Sequence, residues 1–237
     1  FVQKMKQAGA MVVVAADLLA LTALRPPGEW GADVVVGNTQ RFGVPMGYGG
    51  PHAAYFATKS DYKRLMPGRL VGVSVDRPGK PALRLALQTR EQHIRRNKAT
   101  SNICTAQVLL AVMAGMYAVY HGPNGLREVA AQVHKKAKVL VAGIEKLGFM
   151  NLTKNFFDTV EIDLGILEWN DISKFAQERK LNFYPLAQRR ILLSVDESTT
   201  WKDLDDVFYA FSGGKGAAFQ AQELAKSLDG KISSSFA

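Results

Sequence analysis

Residues 11–16 read MVVVAA and residues 32–36 read ADVVV, and these two runs decide the fold class. Both are rich in β-branched residues and too short for helices, so each predicts a strand that is buried on both faces. Residues 18–24 are apolar again, and RPPG at residues 25–28 breaks the chain between the two strands. The pattern is typical of an α/β fold with a mainly parallel sheet.

A loop rich in glycine and proline follows the second strand at residues 37–51, and AAYFA at residues 53–57 predicts a third strand. Ligands of open α/β folds bind at the carboxyl ends of the strands, so this loop is a candidate site. The same glycines also suit any tight crossover, and the loop has neither a Walker motif nor a dinucleotide fingerprint. The loop residues expected near a cofactor or a partner are Gly47, Tyr48, Gly49 and Gly50.

Further along the chain, the sequence predicts helices and then a smaller α+β unit. The predicted helices cover residues 59–66, 105–120, 126–147, 170–180 and 202–211, and the predicted strands cover residues 70–75, 159–164, 182–184 and 191–195. The helix at residues 105–120 is apolar all round, which is typical of a helix inside a large domain. We expect an incomplete large domain at residues 1–147, a small α+β domain at residues 148–211, and a mobile tail or linker at residues 212–237.

The composition excludes several classes of protein. The 237 residues are 47% hydrophobic and 22% charged, which is typical of a folded chain and not of a disordered or collagen-like one. The longest nearly apolar run, residues 108–120, is shorter than the ~20 residues of a membrane-spanning helix. A single cysteine, Cys104, excludes a disulfide framework and suits a reducing compartment. Because the chain begins at Phe1, we expect an internal fragment.

The net charge of +9 is concentrated in part at residues 84–102, which hold five cations against one glutamate. Backbone and hydroxyl donors at the start of the following helix offer a place for an anion. The alternative is a solvated charged face with an ordinary helix cap. No aromatic residue lies in this segment. Sites for single-stranded nucleic acid use aromatic side chains that stack on the bases, so the segment does not favour that function. The candidate residues are Arg90, His93, Arg95, Arg96, Lys98, Thr100, Ser101 and Asn102.

The other residue types that carry chemistry give weaker signals. Cys104 begins an apolar helix, where a lone thiol is more often packing than a nucleophile. The scattered histidines have no partner at metal-ligand spacing, so we predict no metal site. The carboxylate pairs of the small unit are read as exposed surface charges. The histidines are His52, His121 and His134. The carboxylate pairs are Asp158 with Glu161 and Asp205 with Asp206.

Five longer motifs resemble the glycine cleavage system P-protein family, the pyridoxal-phosphate glycine decarboxylases. They are RPPGEWGAD at residues 25–33, QRFGVPMGYGGPHAA at 40–54, MPGR at 66–69, QTREQHIRR at 88–96 and ATSNICTAQ at 99–107. The resemblance extends over most of residues 8–211. It implies the fold of fold-type I pyridoxal-phosphate transferases, with a large domain followed by a small α+β domain. Family members are longer or split into two subunits, with two homologous halves, and this chain resembles the latter part of the amino-terminal half.

The resemblance also implies which residues stand at the cofactor position. In the carboxyl-terminal half of the family, the reactive lysine lies in an HKTF motif. Alignment on Phe42 places Gln40 at the Schiff-base lysine, and alignment from Asp33 places Arg41 there. Neither an amide nor a guanidinium supplies the primary amine that a Schiff base needs. No catalytic residue is therefore expected in this segment.

The second cofactor contact is expected to be missing as well. The aspartate that pairs with the pyridinium nitrogen would fall at residues 11–15, which are apolar, and Asp17 is the nearest substitute but out of register. Pyridoxal phosphate is thus implied for the full enzyme, but not as a covalent adduct of this segment.

For the full enzyme, the resemblance implies an oxidoreductase that decarboxylates glycine and transfers the aminomethyl group to the lipoyl arm of the H-protein. We expect this segment to line the active-site entrance, with its cations attracting the glycine carboxylate and an acidic carrier protein. Alone, the fragment is expected to be inactive. Its expected partner is the catalytic half, in the same chain or a second subunit, in a homodimer or heterotetramer, without nucleic acid or membrane. The favoured location is the bacterial cytoplasm, or the mitochondrial matrix for a eukaryotic source.

Three alternatives stay open at this point. In the first, the segment is a purely structural half that dimerises without touching substrate. In the second, it is an independent cofactor enzyme that uses another lysine, such as Lys59. In the third, it is a basic nucleic-acid-binding module, an interpretation that rests on net charge alone.

Overall fold

The structure is a computed structural model that describes residues 1–49, 52–66, 69–87, 92–99 and 107–231. These residues form two compact units. The first contains residues 1–18 and 26–117, and the second contains residues 19–25 and 118–237. The domain division predicted at residue 147 differs from this partition and stays a prediction. No helix among the described residues is long and apolar enough to cross a membrane.

The first unit is built on a three-stranded sheet. Strand β1 (Val13–Ala15) pairs in parallel with β2 (Val34–Asn38), and β2 pairs antiparallel with β3 (Ala54–Thr58). A short helix, α1 (Val2–Gln7), precedes the sheet. The three predicted strands and the parallel pairing of the first two are confirmed.

Strand β1 is less buried than its sequence indicates. No described strand pairs with its second edge, and the side chain of Val13 is 61% exposed. The prediction that β1 is buried on both faces is therefore wrong for the described residues. An apolar strand at the edge of a short sheet leaves this surface uncovered.

A two-stranded hairpin follows the sheet. Strand β4 (Leu70–Val75) pairs antiparallel with β5 (Pro81–Leu87) across a turn that Asp76 closes by accepting from the Lys80 backbone N–H. The sequence predicts β4 but misses β5. The helix predicted at residues 59–66 is wrong, because the described part of this segment holds only a 3₁₀ turn, Ser60–Tyr62, with no side-chain cap.

The next two elements are helical. Helix α2 (Gln92–Arg95) runs into a 3₁₀ turn, Arg96–Lys98. Helix α3 (Val108–Lys146) is broken at Gly122, whose φ of 62° and ψ of 178° are accessible in practice only to glycine. Pro123 then opens the second arm of α3, where a missing N–H costs nothing. The prediction of two helices separated near residue 122 is confirmed.

The first arm of α3 is not enclosed by the described residues. Its large apolar side chains are exposed, although the sequence predicts a helix inside a domain. They include Val108, Leu109, Val112 and Met116. That prediction of burial is therefore wrong for the described residues.

The second unit is a compact α+β structure. Its sheet has the order β6-β7-β9-β8, with all pairs antiparallel, and the strands are β6 (Met150–Asn151), β7 (Thr159–Asp163), β8 (Tyr184–Ala187) and β9 (Arg190–Ser194). Two amphipathic helices, α4 (Trp169–Glu178) and α5 (Trp201–Phe211), complete it. The second arm of α3 supplies Val133, Leu140 and Ile144 to the core. The predicted α+β unit is confirmed.

The segment predicted to be a tail contains a packed helix, α6 (Ala221–Lys226). Ala221 is fully buried and its backbone N–H donates to the Asp205 carboxylate at 2.7 Å. The Phe219 ring lies 5.4 Å from the ring of Phe208. A short apolar face of α6 thus packs on α5, and the tail or linker expected at residues 212–237 stays a prediction.

Gly143 lies where α3 meets the fully buried ring of Phe208, and a Cβ atom there would overlap that ring. A glycine-to-alanine change in a helix normally gains about 1 kcal/mol. Overpacking a core costs about 1–3 kcal/mol and opposes that gain, so we expect Gly143→Ala to lower the free energy of unfolding. The control Gly115→Ala lies on the exposed first arm with open space around it, and should leave stability equal or higher. Urea unfolding of both variants checks this, and an equal gain in both would contradict the packing.

Candidate functional site

The carboxyl ends of β1 and β2 bring together two charged residues. Asp17 follows β1, and Arg41 follows β2. Because parallel strands end at the same edge of a sheet, the two side chains meet, and Arg41 Nη1 donates to Asp17 Oδ2 at 3.0 Å. The pair is partly buried, with side chains 24% and 32% exposed. Arg41, one of the two residues expected at the lysine position, is thus held by a carboxylate.

Gln40, the other residue expected at the lysine position, belongs to a polar network beside this pair. Its side-chain oxygen accepts from Asn38 Nδ2 at 3.1 Å, and its backbone N–H donates to Asn38 Oδ1 at 2.6 Å. The Nδ2 atom of Asn38 also lies 2.9 Å from Nδ1 of His52. Gln40 Nε2 and the neighbouring hydroxyl of Thr39 are buried without a hydrogen-bond partner in the structure. The site therefore offers buried amide and hydroxyl groups.

A close backbone approach completes this edge. The Tyr55 hydroxyl donates to the carbonyl oxygen of Ala16 at 2.8 Å, directly before Asp17. A Cβ atom on Gly37 would overlap both the Ala16 oxygen and the Tyr55 ring, so only glycine fits there. Burial, and to a lesser extent the charge of Asp17, raises the pKa of Tyr55, so the phenol keeps its proton and acts as a donor.

Lys59 lies at the opposite edge of the same sheet. Its Nζ donates to Asp33 Oδ1 at 2.6 Å, while the backbone N–H of Val12 donates to Oδ2 at 2.9 Å and Lys6 lies 3.4 Å away. Asp33 and Val12 precede β2 and β1, and β3 returns antiparallel to bring Lys59 beside them. Lys59 is therefore tied to the amino ends of the strands, away from Arg41.

The electrostatics of this cluster are those of a structural ion pair. The hydrogen bond from Lys59, then that from the Val12 backbone, lowers the pKa of Asp33 to about 2, although burial opposes this. The hydrogen bond to Asp33 in turn raises the pKa of Lys59. A lysine held in its charged form is a poor nucleophile, because attack on a carbonyl needs the neutral amine.

The glycine-rich loop combines a packed start with an exposed tip. A Cβ atom on Gly43 would overlap the ring of Tyr117, and the Phe42 ring lies 5.7 Å from that ring. Gly47 and Tyr48 both have positive φ, and Tyr48, at φ 59°, is fully exposed. A non-glycine residue rarely adopts this conformation, and such strain clusters at functional sites. Gly49 ends the 3₁₀ turn at the tip, and Gly50 lies outside the described residues.

The cationic segment is only partly described. His93 and Arg95 lie on α2, and Arg96 and Lys98 lie on the following 3₁₀ turn, all four exposed to solvent. Arg96 has a positive φ of 53°, a strained conformation for a residue with a side chain. The remaining candidates, Arg90, Thr100, Ser101 and Asn102, lie outside the described residues, and so does Cys104.

The carboxylates of the second unit are structural. Asp206 is buried and forms ion pairs with Arg179, at 3.5 Å, and with Lys202, so its prediction as an exposed charge is wrong. Asp205 accepts from the backbone at the start of α6. His134 is also buried, with Nδ1 2.8 Å from the Phe157 carbonyl oxygen. Within the described ranges, no group of three or more His, Cys, Asp or Glu side chains is arranged to hold a metal ion.

Asn38 and Tyr55 help to build the edge beside Arg41, although the sequence does not single them out as site residues. Their positions along the predicted strands are nevertheless informative. Asn38 ends the second predicted strand, and Tyr55 lies two residues into the third, on the strand that returns from the loop. The antiparallel register pairs Tyr55 with Gly37, the residue directly before Asn38. Tyr55 and Asn38 therefore lie at the same end of the sheet.

Comparisons with known proteins give both close and distant similarities. A family model described as glycine cleavage system P-protein matches residues 1–211. A solved structure described as glycine decarboxylase (P-protein) of the glycine cleavage system, in inhibitor-bound form, is 38% identical with a TM-score of 0.81. The match covers 90% of this chain and 50% of that chain, so this chain spans half the length of that one.

Two distant structures share the fold. A NIFS-like protein is 16% identical, with a TM-score of 0.54 over 88% of this chain and 53% of that chain. The ureidoglycine-glyoxylate aminotransferase of Bacillus subtilis is 12% identical, with a TM-score of 0.58 over 95% of this chain and 59% of that chain. The predicted fold class, an α/β fold of the fold-type I pyridoxal-phosphate enzymes with a partial large domain, is confirmed.

The Asp33 cluster predicts a pH-dependent contribution to stability. Because the pKa of Asp33 is 3.8 in its ordinary state and about 2 in the fold, its ionised form stabilises the fold above pH 3.8, and this is lost as the pH falls through about 2. We expect Asp33→Asn to lower the urea midpoint at pH 7. The difference in midpoint between the variant and the parent protein should shrink as the pH falls below about 5. Asp61→Asn, in an exposed turn of the same unit, is the control. A gap that stays constant with pH would contradict the ion pair.

Proposed function

This chain belongs to the glycine cleavage system P-protein family, and from this premise we propose that it is the half of a glycine decarboxylase that does not carry the reactive lysine. The complete enzyme uses pyridoxal phosphate, which supplies an electron sink when glycine loses carbon dioxide. It then passes the aminomethyl group to the lipoyl arm of the H-protein. This chain shapes the entrance to that site.

The observation that carries the proposal is the Asp17–Arg41 ion pair. A Schiff base needs a primary amine, whereas the two residues aligned with the lysine position are an amide, Gln40, and a guanidinium, Arg41. The nearest carboxylate for a pyridinium nitrogen, Asp17, already accepts from Arg41 at 3.0 Å. The residues at this edge therefore do not fit a covalently held pyridoxal phosphate, and the reaction centre belongs to another part of the enzyme.

The proposed role at the entrance rests on exposed features of this chain. Arg95, Arg96 and Lys98 present a cationic surface to solvent, and such a surface attracts the glycine carboxylate and an acidic carrier protein. The strained, exposed Tyr48 at the tip of the glycine-rich loop offers an aromatic contact to the partner half. The partners are the catalytic half and the lipoylated H-protein, in a homodimer or heterotetramer of the bacterial cytoplasm.

A second candidate is a structural half that supports the catalytic half without touching substrate. The exposed apolar side chains of β1 and of the first arm of α3 favour this reading, because such surfaces are buried in assemblies. The alternative of an independent cofactor enzyme that uses Lys59 has no comparable support. The Lys59 amine is held by Asp33 at the amino ends of the strands, at the edge of the sheet opposite Arg41.

The location of the cofactor is tested on the complete enzyme. We expect borohydride reduction of the enzyme loaded with pyridoxal phosphate, followed by peptide mass spectrometry, to place the pyridoxyl group on a lysine outside residues 1–237. Arg41→Lys measures whether a primary amine at this edge suffices, and we expect no label on it because Asp17 holds the ammonium in its charged form. A pyridoxyl group on any lysine of the parent chain would contradict the proposal.

The entrance role predicts an effect of charge on the carrier protein. In the complete enzyme, Arg95→Ala/Arg96→Ala should raise the KM for the lipoylated carrier by about tenfold at low salt, and the difference should shrink as salt is added. The control Lys154→Ala/Lys215→Ala removes two exposed charges from the second unit and should leave this KM in place. An unchanged KM and salt dependence in the arginine variant would favour the purely structural half.

A further inference from the structure

Thr39 is a buried polar residue directly after β2, and the fold makes no visible use of its hydroxyl. The residue is only 9% exposed. Its backbone N–H donates to the Ala53 carbonyl oxygen, and its own carbonyl oxygen accepts from the Phe42 N–H, both at 2.9 Å. The Oγ1 atom, in contrast, is buried and has no hydrogen-bond partner within the part of the chain that the structure describes. A buried hydroxyl without a partner costs stability, so a ligand that pairs with it is favoured.

The side-chain amide of Gln40 is a second group of this kind, and the hydrogen bonds around it fix its orientation. Asn38 Oδ1 accepts from the Gln40 backbone N–H at 2.6 Å, so Asn38 Nδ2 is the donor to Gln40 Oε1 at 3.1 Å. The Gln40 carbonyl oxygen accepts from the Val44 N–H at 3.1 Å. The remaining atom, Nε2, is buried, and no described residue accepts from it. Gln40 therefore holds an NH2 donor in a fixed position.

The chemistry of these two groups indicates the class of ligand that they fit. The amide offers two N–H donors and the hydroxyl offers one O–H donor. Arg41, the next residue, keeps its guanidinium charged, although Asp17 accepts from it at 3.0 Å and offsets part of that charge. Ionised carboxylates and phosphates accept hydrogen bonds through their oxygens, whereas an ammonium group or a metal ion accepts none. The arrangement therefore fits a small oxyanion.

We propose that Thr39 and Gln40, beside the Arg41–Asp17 pair, form a non-covalent site for a small oxyanion, which is a carboxylate or a phosphate. The site lies at the carboxyl ends of β1 and β2, where ligands of open α/β folds bind. It needs no reactive amine, so the residues that do not fit a covalently held pyridoxal phosphate do fit this ligand. The inference goes beyond the proposed function, because it applies equally to a half that lines the entrance and to a structural half.

The experiment is equilibrium dialysis of the complete enzyme, loaded with pyridoxal phosphate so that its cofactor site is already occupied. Separate arms use radiolabelled inorganic phosphate and radiolabelled formate at constant ionic strength, which distinguishes a phosphate site from a carboxylate site. The parent enzyme should bind at least one of these anions, with one site per copy of this chain. We expect a Kd of about 1 mM, because the opposing charge of Asp17 limits the affinity.

The main variant is Gln40→Glu, whose carboxylate still accepts from Asn38 but presents a negative oxygen to the anion in place of the NH2 group. This change should weaken binding about tenfold or more. Gln132→Glu makes the same change of charge at an exposed position of the second unit and should bind as the parent does. Loss of phosphate binding, formate binding or both in Gln40→Glu alone supports the proposal. Equal affinity in the two variants, or no binding of either anion by the parent up to about 10 mM, would overturn it.

A second variant guards against a folding artefact, which the thermal transition of each variant reports. Thr39→Val keeps nearly the same shape without the hydroxyl, so the Kd for the anion should rise about tenfold. In the parent enzyme, the bound anion should also slow amide hydrogen exchange at residues 39–44 and leave the second unit unchanged. Unchanged affinity in Thr39→Val, or unchanged exchange at residues 39–44, would contradict the site. Neither readout involves glycine turnover, so both are independent of the proposed function.

Discussion

The parallel pairing of β1 with β2 is the constraint on which the candidate site depends. It brings two carboxyl ends to one edge of the sheet, where Asp17 and Arg41 meet, and two amino ends to the other edge, where Asp33 receives the Val12 backbone N–H and the Lys59 ammonium. The sheet thus separates two charge clusters by the length of its strands. One cluster lies where ligands of this fold class bind, and the other secures the fold.

The charge at the carboxyl-end edge of the sheet follows from one side chain. A guanidinium keeps its proton at any physiological pH and binds a carboxylate through fixed donors, whereas a lysine can lose its proton and attack an aldehyde. Arg41 therefore keeps its positive charge beside the Asp17 carboxylate at any physiological pH. Next to this pair, the Tyr55 hydroxyl donates to the Ala16 carbonyl oxygen, and Gly37 lies close to the same oxygen. This edge of the sheet is therefore lined by polar and charged groups.

Local sequence patterns predict the local structure well and the environment poorly. The β-branched runs of β1 and β2 and the Gly122-Pro123 break are properties of short segments, so the sequence predicts them. Strand β5 is missed because the arginine within it suggests a charged surface, and α6 is missed because its apolar face is only a few residues long. The meeting of Asp17 and Arg41 depends on strand pairing, and burial depends on residues that are distant in the sequence, so neither follows from local sequence.

The wrong burial predictions have opposite directions in the two units, and this has a physical meaning. At Val13 and along the first arm of α3, residues that the sequence marks as buried are exposed, whereas at Asp206 and α6 in the second unit the structure is more buried than predicted. The sequence of the first unit therefore specifies a larger apolar core than its own described residues enclose, while the second unit completes its core internally. Exposed apolar surface costs free energy in proportion to its area. A chain with this imbalance gains stability from polypeptide that covers the first unit.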